Sequence, residues 1–331
     1  MLNYLYKNIQ EVIILKNRRL NNKRKVVFLG IFAFITIFMS IGYSYLSEQL
    51  KLEATANLYA SKNYLWYKLI NDFSPSDLIE TQYETGKYAF IGNVPNNYIQ
   101  LDGDLWRIIS IESDHTIKVI KNNGITTKFD DSNNRTSAST YCQDLENGCN
   151  NWDLAGNITN NQITGSVENA STLSNYLNTT FYNSLNDDLK LKIAPHIFNT
   201  GAISNDSVLT SIIASEQANF WEGNIGLPSI SDFLYSESGN MTTTLGTVGN
   251  SYLFDFINQN FLWTINPLYN DSSKVWVITN NKSQEAKYAN TESEEISSVT
   301  YTYTAHPTMF LNSTVKYSSG TGTLSDPFIL E

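Results

Sequence analysis

The chain has 331 residues, 41% of them hydrophobic, with 22 Lys and Arg against 32 Asp and Glu and a formal net charge of −10. Residues 1–25 hold seven basic residues against one Glu, so the remainder carries 15 basic and 31 acidic residues. Such an acidic body lacks the clustered Lys and Arg that nucleic acid or anionic lipid requires, which excludes both as its ligand, although the charge also serves solubility alone.

The uncharged run Val26 to Leu46, VVFLGIFAFITIFMSIGYSYL, follows directly on Lys16, Arg18, Arg19, Lys23, Arg24 and Lys25. A bilayer core of about 30 Å needs roughly 20 apolar residues in a helix, and basic residues stay on the cytoplasmic side. The reading is a basic cytoplasmic head over 1–25, a single transmembrane signal anchor over 26–46, and everything after about Ser47 outside the cell membrane. A cleaved secretory signal peptide is the competing reading. The run is longer than the usual apolar stretch of about 7 to 15 residues, and Ala54-Thr55-Ala56 lies too far behind it for cleavage. Both readings place the bulk of the chain outside the membrane.

Residues 47–84 read as a stalk with some helical pattern, and 85–331 as one large domain able to bury its own core. Short strands are predicted over Tyr98–Leu101, Leu105–Ile111 and Thr116–Ile120, a meander turned at Asp102-Gly103 and Ser113-Asp114. Leu173, Tyr176, Leu177, Phe181, Leu185, Leu189 and Ile193 recur at helical spacing between a Ser171 or Thr172 cap and Pro195, predicting one amphipathic helix or two short ones. Ser229 with Asp232 three residues later opens another helix. Strands return over Phe261–Ile265, Lys274–Thr279, Thr300–Leu311, Thr314–Tyr317 and Phe328–Leu330. Segregated helices and strands make the fold class α+β with a mainly antiparallel sheet. Trp106, Trp263 and Trp276 lie in strand-like runs and are expected in the core. Gly320 and Gly322 supply a backbone turn closed to other residues. Pro307 and Pro327 belong at strand starts or edges.

Cys142 and Cys149 lie close together in a polar stretch on the oxidising side of the membrane, which predicts a local disulfide. No His stands near them to complete a zinc site, and Asp144 and Glu146 give a thiol nucleophile no basic partner. Asp130-Asp131-Ser132-Asn133-Asn134 begins like a calcium loop, but Arg135 takes the place of its Gly and Tyr141 that of its Glu. Phosphate-loop, zinc-protease and serine-hydrolase motifs are missing, and His115, His196 and His306 read as structural or solvated. No catalytic, cofactor-binding or metal residue is therefore assigned.

Five stretches in this order resemble a large family of membrane-anchored surface proteins of gut Firmicutes and relatives. They are Asn97 to Ile109 (NYIQLDGDLWRII), Tyr176 to Tyr182 (YLNTTFY), Ile225 to Phe233 (IGLPSISDF), Leu262 to Ile265 (LWTI), and a closing pattern of His306 to Leu311 (HPTMFL), Gly320-Thr321-Gly322-Thr323 and Asp326-Pro327-Phe328. His306 stands where that family usually has Arg. The resemblance implies an external domain of C-type-lectin-like fold, related to formylglycine-generating-enzyme-type domains, with no assigned activity. The expected function is a non-enzymatic display or adhesion module for a glycan, peptide or surface protein, with loops over 122–163 and 236–250 making the contacts. The alternative is an extracellular envelope- or glycan-acting hydrolase using carboxylates such as Asp102, Asp104 or Glu222.

Overall fold

The structure is a computed structural model describing residues 25, 31, 34–36, 39, 62–131, 148–153, 170–204, 209–237, 251–256, 261–269, 274–281, 285–289 and 302–331, with backbone only at 279–281 and 285–289. Most of the expected span 26–46 lies outside these residues. Ile31, Phe34, Ile35, Thr36 and Met39 within it are helical, and no helix among the described residues is long and apolar enough to cross a membrane. Two compact units are separated at residue 62, and the one running from Asn63 to Glu331 carries the fold described below.

The sequence places 63–84 in a stalk, and the structure corrects that boundary. Helix α1 (Leu65–Asp72) buries Leu65 and Leu69 completely, and Phe73 packs edge-on against Phe90 at 4.9 Å. Each buried leucine contributes about 1.5–3 kcal/mol, so this segment belongs to the domain core. Its entry is also tied to the chain end, with the Leu65 amide donating to the Val315 carbonyl at 3.0 Å and the Tyr317 amide to the Asn63 carbonyl at 2.9 Å.

The fold is α+β with mostly antiparallel sheets and few helices. Strands β1 (Leu78–Glu80), β2 (Tyr88–Phe90), β3 (Tyr98–Leu101), β4 (Asp104–Ile111), β5 (Ile117–Lys121) and β6 (Ile125–Lys128) come first. The expected meander is present: β3 pairs with β4 and β4 with β5, all antiparallel. Asp102 and Gly103 both have positive φ, 52° and 77°, as a tight turn matching the twist of its strands demands. Strand β6 lies inside the segment 122–163 expected to be an irregular loop, so that part of the expectation is corrected. The rest of 122–163 falls largely, and 238–250 entirely, outside the described residues.

Helix α2 (Thr172–Tyr176) starts on Ser171, whose side chain accepts from the Ser174 amide, and runs into a π-helical turn (Leu177–Phe181) and a last turn (Tyr182–Ser184). Asn186 then caps α3 (Asp187–Lys192), so of the two readings of this stretch the chain adopts the broken one. Next come β7 (Ile193–Ala194), β8 (His196–Asn199), α4 (Leu209–Glu216), β9 (Phe220–Gly223) and β10 (Ile225–Gly226). Helix α5 (Ile230–Tyr235) opens on the expected capping box of Ser229 and Asp232. Strands β11 (Leu262–Pro267), β12 (Val275–Asn281), β13 (Glu285–Ala289), β14 (Thr302–Ala305), β15 (Thr308–Leu311), β16 (Tyr317–Ser319) and β17 (Ile329–Leu330) close the chain.

One sheet runs β1-β2-β4-β5-β15-β10, with β3 on β4 and β7 on β15; the second runs β13-β12-β11-β14-β6. Sequence predicts Thr300–Leu311 as one strand, but it is two, divided between the sheets. Pro307 lacks the amide hydrogen a ladder needs, so the ribbon bends there. On the opposite side the chain bends between β5 and β6, and the His306 ring seals the corner with Nδ1 2.9 Å from the Lys121 carbonyl. Trp106, Trp263 and Trp276 are buried as expected.

Candidate functional site

A charged residue in an apolar strand is where the interior chemistry starts. Strand β5 is buried along its whole length, so Lys118 cannot reach water and must find a carboxylate. It finds Asp232, with Nζ 2.6 Å from Oδ2 and side chains 8% and 2% exposed. The same Oδ2 accepts from the Ser229 amide at 2.7 Å, which completes the capping box of α5. Glu216, the last residue of α4, packs against this turn and accepts from the Ser231 amide at 3.0 Å. Across the space the β1–β2 loop brings Lys87, whose Nζ lies 3.0 Å from Glu84 Oε2 and 3.3 Å from Glu112 Oε2. Ser110 donates to Glu112 at 2.6 Å, and Tyr235 donates to Glu84 at 3.0 Å. His196 on β8 stacks on Phe310 at 3.9 Å and approaches Asp114 at 3.4 Å. Glu84, Lys87, Glu112, Lys118, His196 and Phe310, together with Phe198, Leu227, Ser229, Ser231 and Ile265, line a cavity of about 140 Å³; Asp232 and Glu216 are not part of its lining.

Burial alone would lower the Lys87 pKa, but the carboxylates of Glu112, Glu84 and Asp232 outweigh it, so the ammonium is held charged. Burial alone would raise Asp232, but Lys118 and Lys87 hold it below the usual range. For Glu216 the compensation is too weak. Burial, only partly opposed by the bonds from Ser231, pushes its carboxyl up to about 7, and the Asp232 charge raises it further while Lys118 only partly offsets that charge. Two carboxyl groups on neighbouring helices thus have affinities for protons driven apart, the arrangement that distinguishes a proton carrier from a fixed anion. A larger depression of about 230 Å³ at Leu191, Asn312, Thr314, Lys316 and Glu331 has no such interior; its Lys316–Glu331 pair is 3.7 Å apart and half exposed.

The carboxylates offered by the sequence do not form this site. Asp102 accepts from the Asn186 amide at 3.0 Å and its side chain at 2.5 Å, tying the β3–β4 turn to the cap of α3. Asp104 pairs with Lys121 at 2.6 Å. Glu222 is exposed on β9, paired opposite Ile197 of β8, and does not line the cavity. Of the three histidines His196 lines the cavity, whereas His115 takes a positive φ of 67° in its turn and stacks on Trp66 at 4.0 Å, and His306 is buried at the ribbon corner. Burial lowers the His306 pKa, which favours the neutral ring. Cys149 is buried and disulfide-bonded, while Cys142 lies outside the described residues. No group of three metal-ligating side chains gathers among the described residues. Sequence reasoning named Asp232 only as a cap and missed Glu84, Lys87, Glu112, Lys118 and Glu216. The readable signal was Lys118, interrupting Ile117-Lys118-Val119-Ile120.

Comparison with known proteins returns no match: no family model, no curated protein and no solved structure is significantly similar to this chain.

Proposed function

We propose that the chain is a single-pass surface protein, its N-terminus cytoplasmic and anchored through residues 26–46, whose external domain has a C-type-lectin-like fold. In this reading the domain binds a glycan, peptide or envelope component and does not turn it over. The observation that supports binding over hydrolysis is that the candidate carboxylates do not converge: Asp102 and Asp104 hold structural partners, and Glu222 stands on β9, in a different sheet from Asp104. The interior cavity of about 140 Å³ is also well below the ~300–1,000 Å³ of sites that enclose a ligand, which leaves a polymer to be met at the surface. The hydrolase reading draws on one observation, the Glu216 carboxyl pushed up to about 7, a value suited to moving a proton.

The test is an array of glycans and envelope fractions probed with the purified protein. Retention that is lost on exchanging the segments 132–147 and 238–250, with the fold intact by circular dichroism, supports the binding module. Turnover of an array component that one carboxylate substitution abolishes replaces it with the enzyme.

A further inference from the structure

The contact between Lys118 and Asp232 is an ammonium held against a carboxylate, the two groups whose condensation gives an amide. The amine nitrogen and carboxylate oxygen lie 2.6 Å apart in the interior. A third buried group, Glu216, reaches the same turn through the Ser231 amide. Groups fixed in this way react as if at concentrations of roughly 10⁵–10⁸ M, and an ion pair kept from water is costly enough that removing both charges is favourable. The Ser229 amide aimed at Oδ2 polarises the carboxyl and supports the oxygen charge that builds during attack. Ring atoms of Phe310 cover the lysine, with Nζ 5.4 Å from the ring centre. The adjoining cavity, lined by Lys118 and Ser231, gives a departing water somewhere to go.

We propose that Lys118 and Asp232 condense into an intramolecular isopeptide bond, with Glu216 carrying protons between them. Glu216, at the same turn, relays one proton from the Lys118 ammonium to Oδ1 of Asp232, and the freed amine attacks Cγ of the carboxyl so neutralised. The Nζ–Cγ bond forms and the Cγ–Oδ1 bond breaks. Two protons that began on Nζ leave with Oδ1 as one water, Glu216 ends as it began, and no oxidant or other reactant is consumed. Oδ2 remains as the amide carbonyl and continues to accept from the Ser229 amide, so the cap of α5 survives the reaction. The bond would join β5 to the start of α5, fixing the central sheet to the helix beside it.

Intact mass spectrometry of the reduced full-length chain tests this directly. The expected mass is one water below that of the sequence, with trypsin failing to cut after Lys118 and the peptide 108–121 joined to the one containing Asp232. Lys118→Arg and Asp232→Ala should each restore the full mass. Glu216→Gln should remain folded by circular dichroism yet keep the full mass, and Glu216→Asp should recover part of the bond. In refolded protein the mass loss should appear with a pH-dependent rate in wild type. A wild-type mass equal to the sequence, cleavage after Lys118, or a water lost at another pair overturns the proposal, and this result does not depend on any variant folding. A Glu216→Gln chain that still loses one water overturns the role given to Glu216.

Discussion

Replacing Arg107 by Met should cost the domain about 3–5 kcal/mol. The guanidinium is buried, and its donors reach Asn97 Oδ1 at 2.9 Å, the Tyr252 carbonyl at 3.4 Å, Asp255 at 3.1 Å and the Val94 carbonyl. It also lies between the rings of Tyr98 and Tyr252, 4.3 and 4.6 Å from their centres. Met keeps much of the apolar stem but leaves buried acceptors without their donor, each loss worth about 1–3 kcal/mol, and removes stacking worth about 0.5–1 kcal/mol. Partial relaxation keeps the total near the ~3–5 kcal/mol found when one partner of a buried charge pair is removed. For a domain this size, that should lower the melting temperature by on the order of 10 °C. The control is Asp255→Asn. Asp255 is 61% exposed, so losing its charge should cost less than ~1 kcal/mol. The assay is urea unfolding at unchanged slope. An Arg107→Met protein within ~1 kcal/mol of wild type, or an Asp255→Asn protein equally destabilised, would refute the claim that Arg107 holds the 94–97 and 252–255 segments together.

Gly322→Ala should cost about 2–4 kcal/mol in thermal unfolding, because φ is +78° and a Cβ there would stand 2.2 Å from the Asn96 carbonyl oxygen. Gly103→Ala, with a similar φ of +77° but nothing within 4 Å, should show only the conformational part, ~1–2 kcal/mol; equal losses would contradict the packing argument. The Glu216 carboxyl is raised in the folded state from 4.5 to about 7, so its contribution to stability is complete below pH 4.5 and lost as pH rises to about 7. Stability curves of wild type and Glu216→Gln should therefore diverge with rising pH across that window, and parallel curves would show that Glu216 does not titrate there. Removing both cysteines should leave a folded domain and cost ~2 kcal/mol or less, since a Cys142–Cys149 bond closes a small loop; unfolding at 25 °C would contradict this.

The readable parts of the fold were those fixed by neighbours in sequence. Asp102-Gly103 demands a tight turn wherever it occurs, and Ser229 can cap only the helix that begins beside it. The break near Leu185 was left open by the apolar spacing, and the structure places it where Asn186 caps a second helix. Pairs such as Ile193–Ala194 and Ile225–Gly226 are too short to show alternation, and distant partners define them as strands. The split of Thr300–Leu311 had a local signal in Pro307 that the alternation of the flanking residues masked. The interior cluster had less. Lys118 and Asp232 are 114 residues apart, and nothing local in either stretch shows that β5 passes beside the start of α5. Glu216 reads as an ordinary helix-terminal acid until its surroundings remove it from water.

The claim that one compact domain is displayed outside the cell is tested most directly by protease treatment of intact cells expressing the chain with different tags at its two ends. The C-terminal tag should be removed while the N-terminal tag is protected, and a single resistant fragment beginning near Asn63 should be released. Protection of the C-terminal tag, or release of two stable fragments cut within 63–331, would contradict the account.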